Sequence, residues 1–177
     1  MATMDVRYIN PFLTSVGLVF RTMADMSVAM GQPYVKDLTQ RLQCIYTVAA
    51  TIELRGATTG IVAMRFCKPV VFALVKALTG EMPTRIDSDC LDALGEITNM
   101  VVGNAKQAFP LGQTWIGTPK VFVRTDPLDA PPILVMPFDC SSGRFLIEAR
   151  LSAGVQNTVA TQTPPTSPAE LVNMVGL

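Results

Sequence analysis

The chain contains no histidine in 177 residues. That absence excludes Ser-His and Cys-His nucleophile pairs, imidazole metal ligands and imidazole proton shuttles. Charge is scarce as well: 16% of the residues are charged, and the 14 basic side chains equal the 14 acidic ones. No net field draws such a chain to nucleic acid or to an anionic membrane, so recognition of a partner falls to a local patch. The four cysteines, Cys44, Cys67, Cys90 and Cys140, are scattered without a Cys-x-x-Cys pair. This argues against a metal site or a disulfide framework and for buried, reduced thiols. No run approaches about 18 apolar residues, and no basic region precedes an apolar one near the start. A cytoplasmic protein without a membrane segment is the expectation.

What the chain has is hydrophobic material, 49% of its residues, enough for one domain with a sizeable core. The stretch Ser88 to Phe109 organises it. Ser88 and Asp89 stand in capping positions, and Pro110 with Gly112 behind it closes the segment. At helical spacing Cys90, Leu94, Ile97, Val101, Ala105 and Ala108 make an apolar stripe, with Asp92, Glu96, Asn99, Gly103 and Lys106 opposite. Glu96 and Asn99 lie one turn apart and are neighbours on that face. Gly103 inside a helix costs roughly 1 kcal/mol relative to Ala, which the close approach of another surface would explain. Spacing alone leaves two readings open. Glu, Asn and Lys on a wet face are most simply a solvated surface, and a carboxylate beside an amide is no activated nucleophile. The same pair can position groups, because an amide both donates and accepts and a carboxylate can meet a partner's Lys.

Around that stretch the periods alternate between 3.6 and 2. Asn10 as N-cap and Pro11 at the first helical position predict a helix to about Met30, with Phe12, Val16, Val19, Phe20, Met23 and Met26 inward. Its polar face superposes on the later helix. With Gly17 laid over Gly103, Leu13 falls at Asn99 and Asn10 at Glu96, which predicts a duplicated unit of which only the second copy keeps the pair. Gln43 to Leu54 alternates as a long strand, Arg55-Gly56 reads as a turn, and Gly60 to Phe66 as its hairpin partner. Val70 to Thr79 is a helix opened by Pro69 and capped by Gly80. Trp115 to Arg124 reads as a strand irregular at Gly117 and Pro119, which suggests an edge or a bulge, followed by the loop 126–132. Ile133 to Phe138 is a strand whose ladder Pro137 should interrupt, and Phe145 to Leu151 is another. The order helix, two strands, helix, helix, three strands argues α+β, with two long helices and one short one packed on an antiparallel sheet. Residues 1–152 form the domain. Residues 153–177 read as a Pro/Thr-rich linker with a short apolar end.

Asp92-x-x-x-Glu96-x-x-Asn99, continuing into Met100-Val101-Val102-Gly103-Asn104-Ala105, resembles the signature helix of the CheC/CheX/FliY family of chemotaxis phosphatases. Met4 to Phe12 and Ile133-Leu134-Val135-Met136-Pro137-Phe138 are similar to the CheX branch in particular, and the resemblance spans about residues 4 to 152. The family pattern carries a Pro somewhat over twenty residues past the Asn; Pro119 is the nearest here. The resemblance implies a pseudo-duplicated CheC/CheX-like fold and a phosphatase for a phosphorylated CheY-like response regulator. Asn99 would orient the attacking water and Glu96 would pair with the receiver lysine, with Asp92, Gly103 and Lys106 around them as docking residues. The cofactor expectation is Mg2+ supplied by the receiver and none held by the chain itself. A non-catalytic receiver-binding module of the same fold is the alternative. Ragged strand edges and the high apolar fraction add a homodimer to the expectations.

Overall fold

The computed structural model describes residues 6–36, 46–123 and 133–154. The readings made for Cys44, Arg124, the loop 126–132 and the segment 155–177 fall outside the described residues. A 3-10 turn, Val6–Tyr8, leads into α1 (Ile9–Ala24), then two short strands, β1 (Val28–Met30) and β2 (Tyr34–Lys36). The hairpin β3 (Tyr46–Gly56) and β4 (Thr58–Cys67) is followed by α2 (Lys68–Thr79) and α3 (Ser88–Ala105). After a second 3-10 turn, Lys106–Ala108, come β5 (Thr114–Ile116), β6 (Lys120–Val123), β7 (Ile133–Cys140) and β8 (Gly143–Ala153). The strands form one antiparallel sheet in the order β1-β7-β8-β4-β3-β5, with β2 continuing the β1 edge on β7 and β6 continuing the β5 edge on β3. The expected α+β class is the observed one.

Period-2 alternation puts Val48, Ile52, Leu54, Val62, Met64, Phe66, Met136, Phe138, Phe145 and Ile147 on one face, where they meet the apolar stripes of the three helices. Phe145 anchors this core: Phe20 from α1 stacks on it at 4.4 Å between ring centroids and Phe138 at 5.1 Å. Each of these fully buried rings contributes about 1.5–3 kcal/mol by leaving water.

The first helix stops six residues' worth of sequence pattern early, at Ala24 rather than near Met30. Asp25 takes a left-handed conformation (φ 49°), so its N–H and that of Met26 turn back to the carbonyls of Arg21 and Phe20. Nor do Asn10 and Pro11 begin it, since Tyr8 is its N-cap. The strands β1 and β2 were not expected, because three residues are too few to show a period. Pro137 does not end β7. Its carbonyl accepts from Gly31 N–H at 2.9 Å. In a strand a residue's N–H and C=O point to the same side. The donor that Pro137 lacks therefore faces the break between β1 and β2, where no ladder bond is missed.

The duplication predicted from the two helices extends through the sheet. Ser15 and Val101, 86 residues apart, face each other where α1 crosses α3, and the Ser15 hydroxyl donates to the Val101 carbonyl at 2.6 Å. The same separation relates Gly17 to Gly103, and Gly31-Gln32-Pro33 to Gly117-Thr118-Pro119. Gly117 N–H donates to the Glu53 carbonyl at 2.9 Å, as Gly31 does to Pro137. The strand order reads the same from either edge once β1 to β4 are exchanged for β5 to β8. The molecule is thus two α-β-β-β-β units about a pseudo-twofold axis, each lending its broken edge strand to the other's hairpin.

The sheet face away from the helices is not the wet surface that the alternation predicts. Leu146 and Glu148, on the face of β8 opposite Phe145 and Ile147, are buried, as are Ile133, Val135 and Arg65. Glu148 receives Arg65 Nε at 2.7 Å and Lys36 Nζ at 3.5 Å. Burial, and next the Glu148 carboxylate, hold the Tyr34 hydroxyl above its ordinary pKa.

Candidate functional site

α3 is held at both ends and along both flanks. Its N-cap is Asp87, one residue before the expected Ser88; the Asp87 carboxylate accepts from Cys90 N–H at 3.2 Å. That hydrogen bond, the largest cause, lowers the Asp87 pKa below its ordinary 3.8. A depressed carboxylate stabilises the fold above its unfolded pKa and loses that contribution as pH falls toward the folded value. The thermal midpoint of the wild type should therefore drop in the window below pH 3.8, relative to Asp87→Asn, which keeps the acceptor without the charge. Midpoints that run parallel for the two proteins through that window would remove the assignment.

Cys90, Leu94, Ile97, Val101 and Ala105 are buried as the stripe predicts, whereas Ala108 is exposed in the 3-10 turn. Cys90 is a buried thiol, pushed up in pKa by desolvation, while Cys67 and Cys140 are free and only half-buried. The opposite face carries Asp92 and Glu96 exposed, with Asn99 half-buried beside them. Among the described residues, neither the Glu96 nor the Asn99 side chain is engaged in a hydrogen bond or an ion pair. Met100 and Gly103 are half-buried on the same helix.

Half-buried Asn99 has a glycine one turn away in either direction, and both glycines lie close to the strands. A Cβ on Gly95 would lie 3.6 Å from Val121 Cγ2 and 4.0 Å from Pro119 Cβ, and one on Gly103 would lie 3.6 Å from Ile116 Cδ1. The break between β5 and β6 thus lies along the flank of α3 that carries Gly95, Asn99 and Gly103. This wall was missed in the sequence. The signal was present, as Gly95-x-x-x-Asn99-x-x-x-Gly103. The close approach inferred at Gly103 is therefore made by Ile116 of the same chain, at ordinary van der Waals distance. Gly103→Ala should then fold normally and gain about 0.5–1 kcal/mol of helix stability, read as a shift in the urea midpoint. A loss instead would mean that Ile116 cannot yield.

Lys106 lies apart from the others. It is half-buried, and its Nζ donates to the Thr114 carbonyl at 3.1 Å, tying the end of α3 to β5. The structure brings Asp92, Glu96 and Asn99 to one side of a rigid helix and gives Lys106 an internal partner. A carboxylate and an amide so placed, with no nucleophile between them, can dock and orient but cannot form a covalent intermediate. No described group of three or more His, Cys, Asp or Glu side chains is arranged to hold a metal ion, and no described helix is long and apolar enough to cross a membrane.

The family model described as chemotaxis phosphatase CheX matches residues 48–139. A CheC-like superfamily protein from Shewanella sp. PV-4 is similar at 30% identity and a TM-score of 0.73, over 85% of this chain and 100% of its own. The chemotaxis protein CheX from Desulfovibrio desulfuricans is similar at 30% identity and a TM-score of 0.72, over 82% and 99%. The fold is shared with CheX in the CheX–CheY–BeF3–Mg2+ complex from Borrelia burgdorferi, at 18% identity and a TM-score of 0.68, over 83% and 99%. No curated protein matches significantly.

Proposed function

Since the chain belongs to the CheX family of chemotaxis phosphatases, we propose that it hydrolyses the aspartyl phosphate of a CheY-like receiver domain. The observation that carries this reading is an exposed Glu96 one turn from a half-buried Asn99, on a helix fixed by its cap, its buried stripe and its strand wall. An acyl phosphate is already reactive, so positioning and charge are what a catalyst has left to add. The Asn99 amide accepts a hydrogen bond from a water and aims its oxygen at phosphorus, in line with the bond to the aspartyl oxygen. That bond breaks, the aspartate leaves as carboxylate, and the water's proton goes to the phosphate formed. Glu96 pairs with the receiver's lysine and sets the depth to which Asn99 enters. The receiver brings the Mg2+ that offsets charge on the phosphoryl oxygens. Asp92 extends the docking face along α3, while Gly103 lets Ile116 close in beside it and Lys106 supports its far end. Exposed Tyr34 and Val35 on one sheet edge, and Phe122 and Val123 on the other, favour pairing with a second copy.

The test is phosphate release from a receiver charged with acetyl phosphate, measured with and without the protein. Acceleration that saturates with receiver is the expected result. Binding to a beryllofluoride-loaded receiver without any acceleration would favour a non-catalytic docking module instead.

A further inference from the structure

The flank of α3 that carries Asn99 faces β5 and β6. One turn before Asn99, a Cβ on Gly95 would lie 3.6 Å from Val121 Cγ2; one turn after it, a Cβ on Gly103 would lie 3.6 Å from Ile116 Cδ1. Strand numbers thus rise as helix numbers fall, so β5 and β6 run antiparallel to α3 along this flank. Val123 follows Val121 by two residues, about 6–7 Å further toward the start of the helix. That brings it level with Leu91 and Asp92. The ladder fixes its direction. Val123 is paired with Val48, a member of the helix-facing core, and directly opposed residues project to the same face. Phe122 and Trp115, paired with Ala49 and Arg55, project to the other face. Val121 is half-buried, but Val123 is 47% exposed.

Even a small specific interface covers roughly 600 Å2 per partner, a disc of about 14 Å radius. At about 1.5 Å per residue, Val123 lies roughly 10 Å along the α3 axis from the midpoint of Glu96 and Asn99. It stands inside such a disc, on the flank that carries Asn99. The helix offers a partner only polar groups there, Asp92, Glu96 and Asn99, whereas the centre of an interface is depleted of charge. Among the described residues, Val123 is the exposed large apolar side chain on the α3 side of this edge.

We propose that Val123, beside Asp92, is a second contact for the receiver domain and sets how tightly the phosphorylated receiver binds. The inference rests on the phosphatase reading above. It gives the α3 side of the β6 edge to the receiver and leaves pairing of copies to the β2 edge, where Tyr34 and Val35 are exposed. In a phosphate-release titration with an acetyl-phosphate-charged CheY-like receiver, Val123→Ser should raise KM about fivefold and leave kcat within about twofold. Val123→Thr, which keeps the branched shape that strands favour, should raise KM as well, and Val123→Ile should keep the wild-type value. Val35→Ser, the same change on the opposite edge, should leave KM unchanged. Wild-type KM in Val123→Ser and Val123→Thr, or an equal rise in Val35→Ser, overturns the proposal. So does a Val123→Ser protein that loses self-association at wild-type KM, which would place a second copy on this side of the edge. If Asn99→Ala loses kcat while Val123→Ser keeps its KM, only this inference falls; if Asn99→Ala keeps kcat, the phosphatase reading falls and takes the inference with it.

Discussion

Asn99→Ala is expected to slow phosphate release from a charged receiver by at least about a hundredfold, roughly 2.7 kcal/mol of transition-state stabilisation. The complex itself should persist. The reasoning is geometric: alanine keeps the helix and removes the one group able to hold a water in line. Asn99→Asp should be nearly as slow, because a carboxylate, although it can still accept from the water, places a second negative charge beside a phosphoryl group. Glu96→Ala should act on the other parameter. Without a counter-charge for the receiver lysine, KM rises while a saturating receiver still turns over at a measurable kcat. The separation of the two effects is the informative part. Wild-type turnover by the Glu96→Ala/Asn99→Ala double variant would show that α3 has no part in the chemistry.

How much of this was legible before the structure depends on the length of each pattern. α3, α2 and the β3–β4 hairpin were readable because each repeats its period over several turns or pairs and ends at a residue with a mechanism, such as Gly80 in the left-handed conformation (φ 84°). The irregularity expected at Gly117 and Pro119 is the break between β5 and β6. Its mate at Gly31 and Pro33 carried the same Gly-x-Pro spelling and was absorbed into an overlong helix, since Val28 and Met30 continue a helical apolar pattern past Asp25. Only the backbone conformation of Asp25 ends that helix, and an aspartate is a weaker stop signal than a glycine. At the site, the residues facing solvent were readable from periodicity. The strand wall beside Asn99 was not, because nothing in a local pattern says which strand crosses a helix. The ionic cluster behind the sheet escaped for a related reason: alternation on β8 assigns Glu148 to solvent, and its burial depends on partners from β2 and β4 that are remote in sequence.

That cluster gives the largest expected effect on stability. Glu148 has no solvent exposure, and it joins Arg65 at 2.7 Å and Lys36 at 3.5 Å, both nearly buried themselves. Glu148→Leu would remove the carboxylate that two cations share in a poorly solvated setting, and breaking such a group on one side typically costs about 3–5 kcal/mol. Against a total of about 5–15 kcal/mol, that is enough to leave a marginal fold. Urea unfolding at neutral pH should show a midpoint displaced by that amount with an unchanged slope. Replacing all three residues together, Lys36→Met/Arg65→Met/Glu148→Leu, removes the cost of desolvating charge along with the attraction, and should recover most of the loss. Because the cluster lies across the sheet from α3, the folded fraction of every variant should release phosphate at the wild-type kcat. A Glu148→Leu protein within about 1 kcal/mol of the wild type would mean that water or rearrangement already screens these charges. The sheet would then be held by its helix-facing core alone.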